Sequence, residues 1–329
     1  MPSTPTNSHT DKIIHCVVIY PFRGLEIGSP PHAIFKRLIG QCKQSSGGAN
    51  PIVVLNQRSG KKDAAHTILK ELEVEIVKYW GADTCDNWLA GWGFILDQLE
   101  TIRSDLKNPE ENQRIALIPG DIQQVENDNK FFENLDEFIR YDGKPFLLGD
   151  FRSVNLFSTK ELIDSYGIYL LIANWFPDAW KAIRTSQICK PRSEFLNIRV
   201  PELRQLLKHR VFAYEQTLNM LILLWNSCWK KANLDPAQAH GLWHESVHKM
   251  DLGNMADDPA DRSFKGAIDQ IERTERMLRL IWRESKRWGL EEGPGRFRKL
   301  AKEYERLDGH STRIRDAAQI AMWAQIDSR

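Results

Sequence analysis

Short β-branched runs recur through the first half of the chain, each followed by a stretch with helical spacing, and this alternation restricts the fold more than any other feature. Ile13–Tyr20 (IIHCVVIY), Pro51–Asn56 (PIVVLN), Val74–Tyr79, Arg114–Ile118 and Pro145–Leu148 read as strands. Between them, His32–Gln44, Lys62–Leu72, Asn87–Ile102 and Asn129–Tyr141 carry apolar residues at intervals of three and four, the period of a half-buried helix. The strands are nearly continuous in apolar character, which suits a sheet covered on both faces. Strand and helix in alternation predict βαβ units, hence an α/β fold with a mostly parallel sheet flanked by helices.

Beyond about Thr159 helical patterns dominate. Tyr166–Ala173 (YGIYLLIA) still reads as a strand, and Pro177–Arg184 as a short helix opened by proline. Pro201 starts another helix through Leu207. In Val211–Trp229 and Phe264–Trp282 the helical seams are apolar except for Glu215 and Glu275. A carboxylate on an apolar seam needs a partner, and arginines nearby in sequence can supply one. The expected organisation is a frayed tail over 1–12, an α/β domain over 13–155, a mainly α-helical region over 156–290 that completes the site, and C-terminal helices over 291–329.

Composition narrows the function classes. A net charge of +1 with 27% charged residues argues against a large nucleic-acid footprint. The longest apolar run, Leu218–Trp225, is far shorter than the ~20 residues a membrane span needs. The polar start lacks the features of a signal peptide, and five scattered cysteines without a CxxC pair suit a reducing compartment, so cytoplasmic residence is expected.

Three stretches carry candidate chemistry. The first is Arg114–Val125 (RIALIPGDIQQV), where a strand stops at Pro119-Gly120 and presents Asp121. Ligands of open α/β sheets bind beyond the carboxyl ends of the strands, where a carboxylate can hold a metal or a sugar hydroxyl. FLLGD presents Asp150 in the same way, although Gly-Asp also serves simply to start turns. The second is Lys190-Pro191-Arg192-Ser193-Glu194: Lys190 and Arg192 can clamp a diphosphate and Glu194 can act as a base, or the segment is an interdomain turn with a local salt bridge. The third is HESVH, His244–His248. On one helix its histidines could share zinc with Glu245 as base, as in a metalloprotease. The extension HExxHxxGxxH fails, because Asp251 and Asn254 stand where Gly and His are required. His244 can also supply a late ligand to a site built by the first domain. Neither GxGxxG, a complete P-loop nor GxSxG occurs.

Val17–Gly24 (VVIYPFRG), Val53–Gly60 (VVLNQRSG) and Ala116–Gln123 (ALIPGDIQ) together resemble the nucleotide-diphospho-sugar transferase fold of GT-A glycosyltransferases. The resemblance covers about residues 13–150. It implies that the first two loops cradle a nucleotide and that Asp121 belongs to a DxD-type metal site, with Gln123 replacing the second acid. It further implies a glycosyltransferase that moves a sugar from a nucleotide-sugar donor to an unknown acceptor. Asp121, Lys190 and Arg192 would hold the donor diphosphate, and Asp150 or Glu194 would activate the acceptor. Mg²⁺ or Mn²⁺ is the expected ion and zinc is not. A nucleotidyltransferase of the same fold, or a non-catalytic interaction protein that retains it, are the alternatives.

Overall fold

The computed structural model describes residues 14–20, 25–56, 64–79, 113–153, 168–207 and 216–256. The expected tail, the helices over 87–102 and 264–282, the C-terminal helices, Glu215, Glu275 and the two nucleotide-cradling loops lie outside the described residues or largely so.

In chain order the elements are β1 (Ile14–Tyr20), α1 (Pro30–Ser45), β2 (Ile52–Asn56), α2 (Ala64–Glu71), β3 (Glu75–Tyr79), β4 (Arg114–Pro119), β5 (Gln124–Val125) and α3 (Asp128–Ile139). They continue with β6 (Phe146–Ser153), α4 (Ile168–Trp175), α5 (Pro177–Thr185), β7 (Leu196–Arg199), α6 (Val200–Leu207), α7 (Gln216–Lys231), α8 (Pro236–Ser246) and β8 (Val247–Ala256). One sheet joins all the described strands in the order β3-β2-β1-β4-β7-β6-β8-β5. β1 through β4 are mutually parallel, as the βαβ reading requires. β7 enters antiparallel between β4 and β6, and β8 lies parallel to β6.

The apolar strands are explained by burial on two faces. Cys16 and Val18, Val53 and Leu55, and Ala116 and Ile118 face a core shared with α1, α2 and α3. The alternate residues Val17, Val54 and Leu117 are also buried, so neither face tolerates a polar repeat. Phe195, just ahead of β7, centres an aromatic cluster on the first face, with ring centroids 6.4, 6.1 and 6.2 Å from Phe131, Phe138 and Phe151.

Local chemistry fixes the helix ends. Ser29 caps α1 by accepting from the His32 amide at 3.3 Å, and Asn127 caps α3 from the Lys130 amide at 3.1 Å. At the other end of α3, the buried Asn197 amide of β7 donates to the carbonyls of Phe138 and Ile139 at 2.7 and 3.1 Å. Its side-chain oxygen accepts from Arg114 Nε at 2.6 Å. Burial and neighbouring Arg199 pull the Arg114 pKa down to about 10, which still leaves it charged at neutral pH. Asn197 thus ties β4, β7 and α3 together at the amino edge of β4.

Several expectations are corrected. From Ile168 onward the run expected as a strand is helix α4; its apolar run is short, and periodicity alone does not separate a buried helix from a buried strand. The region after 155, expected to be mainly helical, holds α4 to α8 among its described residues and also contributes β7 and β8 to the sheet. Gly149 and Asp150 lie inside β6, so the two Gly-Asp pairs are not equivalent. HESVH is not a single helix: α8 ends at Ser246 and β8 begins at Val247, so His244 and His248 belong to different elements. His248 stacks on Tyr141 with centroids 5.4 Å apart. The shared helical face of a zinc protease is therefore absent.

Candidate functional site

The direction of chain crossing locates the site. From β1 the chain moves outward through β2 to β3, and β4 then returns to the other side of β1. Neighbouring strands whose onward connections diverge leave a crevice beyond their carboxyl ends, the switch point at which open α/β sheets bind ligands. Here it falls between β1 and β4, where Ile19 stands in register with Pro119. Asp121 follows two residues later and is buried, 7% exposed.

The segment after Asp121 is shaped by its own side chains. Gln123 donates its side-chain amide to the Asp121 carbonyl at 2.8 Å. Its backbone amide donates to Ala256 O at 2.8 Å, and β5 then pairs with β8. The chain from β4 to β5 thereby spans the three intervening strands β7, β6 and β8. Gln123 holds that crossing.

Lys190–Glu194 reaches the same edge of the sheet from the other side. Leu117, Leu196 and Leu148 are aligned across β4, β7 and β6. Because β7 is antiparallel, the residues before Leu196 emerge where β4 and β6 run out. Asp150 fixes this turn: its two carboxylate oxygens accept from the backbone amides of Cys189 and Lys190, each at 2.8 Å. Lys249 of β8 approaches Asp150 Oδ2 at 3.4 Å and also donates to Gln187 O. A buried carboxylate is costly unless it is paired and hydrogen-bonded, and these contacts meet that requirement. Asp150 is a structural anchor whose oxygens are already engaged.

Gly149 and Ser193 complete the anchor. A Cβ on Gly149 would stand 2.6 Å from both Leu252 Cδ1 and Phe195 Cβ. The Ser193 hydroxyl donates to Gly149 O and accepts from the Phe195 amide. Lys190 is buried, its ammonium 5.6 Å from the centre of the Phe151 ring. Arg192 is half-buried and Glu194 is exposed. Cys189 sits at the same turn, and burial, then the nearby Asp150 charge, push its thiol pKa up. Such a thiol is protonated and a poor nucleophile.

The structure thus joins Asp150 to the Lys190–Glu194 turn and sets Asp121 at the same edge. His244 is elsewhere: α8 leads into the amino end of β8, opposite the carboxyl edge. Among the described residues no group of three or more His, Cys, Asp or Glu gathers in metal-binding proximity. Lys249 and Asn197 escaped sequence reasoning. For Lys249 the one available signal was that 247–256 could be read as a strand beside β6.

The class of fold is therefore α/β, with a switch-point crevice beside Asp121. No protein-family description matches the chain, and no curated protein does. Among solved structures it is similar to mannosyl-3-phosphoglycerate synthase from Rubrobacter xylanophilus, with 11% identity, 84% of this chain and 76% of that chain covered, and a TM-score of 0.44. It is also similar to a cytidylyltransferase from Leptospira borgpetersenii, with 11% identity, 85% and 96% covered, and a TM-score of 0.38. A third is 4-diphosphocytidyl-2C-methyl-D-erythritolsynthase from Anaerococcus prevotii, with 10% identity, 81% and 96% covered, and a TM-score of 0.31. At these values the likeness assigns no residue and no activity to the present chain. Among the described residues no helix is long and apolar enough to cross a membrane.

Proposed function

We propose that this chain binds a nucleoside-diphosphate sugar at the carboxyl edge of its sheet and transfers the sugar to an acceptor hydroxyl. The observation that carries this reading is the β1–β4 switch point, with buried Asp121 two residues beyond Pro119. Asp121 orients the diphosphate end of the donor, and Arg192 supplies the fork of donors that suits phosphate oxygens. Lys190 contributes charge from its buried position over Phe151. Glu194 is exposed on the same turn and accepts the acceptor proton, a role that Asp150 is poorly free to fill with its oxygens on Cys189 and Lys190.

The donor set bears on the ion. Asp121 is a hard, charged oxygen ligand, while Gln123, whose side-chain NH2 donates to the Asp121 carbonyl, can offer only a neutral oxygen. A divalent ion here is held chiefly by diphosphate oxygens and water, a manner of binding that suits Mg²⁺ and is open to Mn²⁺. Bound there, it would neutralise charge that develops on the leaving diphosphate.

Calorimetry of the full chain with UDP-, GDP- and CDP-sugars, with and without Mn²⁺, tests the proposal. Saturable binding of one nucleotide class is expected. Binding of a nucleoside triphosphate with release of pyrophosphate would move the reading to a nucleotidyltransferase. Failure to bind any nucleotide would leave an interaction protein on the same fold.

A further inference from the structure

Outside the sheet edge, α8 carries two of the described metal-ligating side chains close together. His240 and His244 are four residues apart in this helix, which the Asp235 cap fixes at its start through the Gln238 amide, 2.9 Å away. Residues at that spacing project from one helical face. Their rings lie side by side, with centroids 6.4 Å apart and planes 29° from parallel. The neighbouring stripe is anchored inward: Ala239 and Trp243 are buried, and Trp243 Nε1 donates to Ser186 Oγ at 2.8 Å. His240 rests on Trp225 of α7, 4.9 Å between centroids, while His244 is exposed.

We infer that His240 and His244 form a two-imidazole binding site for a borderline divalent transition metal such as Zn²⁺, Ni²⁺ or Cu²⁺, with its remaining positions open to water or an outside ligand. Neutral imidazole suits these ions, whereas Mg²⁺ and Mn²⁺ prefer oxygen. Neither ring has a hydrogen bond or ion pair among the described residues to compete with a metal, and Trp225 restricts the His240 ring before any ion arrives. Asp178 and Lys181 of α5 are the charged groups facing His240. No third protein ligand stands within reach among the described residues, so the site is open. It is independent of the nucleotide reading, because α8 leads to the opposite edge of the sheet from Asp121.

The test is a Zn²⁺ titration of the full chain in a C189S background, which removes the one exposed thiol among the described residues. One bound ion is expected, weakened by about tenfold or more in H240A and in H244A and unchanged in H248A. Cu²⁺ should quench tryptophan fluorescence, and W225F should reduce the quenching. Circular dichroism confirms that each variant is folded. Undiminished Zn²⁺ affinity in the folded H240A/H244A double variant would overturn the inference, and so would no uptake by the folded parent.

Discussion

The carboxylate of Asp150 accepts the backbone amide of Lys190 at 2.8 Å across 40 positions of sequence. With the Cys189 amide at the same distance, this pins the turn that carries Lys190, Arg192 and Glu194 to the middle strand of the sheet's second half. Replacing Asp150 with Ala should leave two amides and the Lys249 ammonium without their acceptor. A loss of about 2–4 kcal/mol is expected from urea unfolding, because removing one member of a buried charged set exposes the cost of the others. Tryptic cleavage between Arg192 and Ser193 should accelerate in parallel.

Gly149 has no room for a methyl group. G149A should cost about 1–3 kcal/mol of stability, the usual range for overpacking. The upper end is expected, because the Phe195 atom it meets is a Cβ fixed to the backbone and cannot swing aside. Comparing the urea midpoints of G149A and the parent checks this, and an unchanged midpoint would contradict the packing account.

Asp121 is the residue on which the proposed donor site depends. D121A should weaken nucleotide-sugar binding by about tenfold to a hundredfold, roughly 1.4–3 kcal/mol. Its thermal stability should change little beside that of D150A. Equal donor affinity in D121A and the parent, measured by calorimetry, would remove Asp121 from the site.

Acid should destabilise the fold in part through histidine. Burial lowers the pKa of His240, helped by His244, and burial together with Lys144 lowers that of His248. A base with a lowered folded-state pKa leaves the unfolded chain binding more protons, so its stability is lost as the pH falls through the ordinary histidine range. The facing groups are His244, Asp178 and Lys181 for His240, and Lys144 for His248. Urea midpoints measured from about pH 8 to about pH 5.5 should fall more steeply in the parent than in H240N/H248N.

Much of the fold was legible because it is governed by local periodicity. The runs at 13–20, 51–56, 74–79 and 114–118 became β1 to β4, and their helices α1 and α2 fell close to the expected bounds. The 166–173 run misled, because a short apolar stretch satisfies strand and helix equally. Segment 247–256 misled for a different reason: its His248 completed a helical motif with His244, while its conformation is set by pairing with β6. At the candidate site, Asp121 could be placed from a strand ending in Pro-Gly-Asp. The role of Asp150 could not, since its partners at 187–190 and 249 are distant in sequence.

The chain by itself determined the α/β class, because apolar runs long enough for a doubly covered strand alternate in its first half with stretches of helical period. It also determined that a carboxylate would follow β4. Only the tertiary structure decided which of the two Gly-Asp pairs lies beyond a strand and which lies within one. β6 runs on through Asp150 because β8 pairs with it in parallel and brings Lys249 alongside, while β7, inserted antiparallel between β4 and β6, leads back to the turn whose Lys190 amide reaches the same carboxylate. Hydrogen bonds between distant segments leave no periodic trace in sequence, and here they separate a structural carboxylate from a candidate functional one.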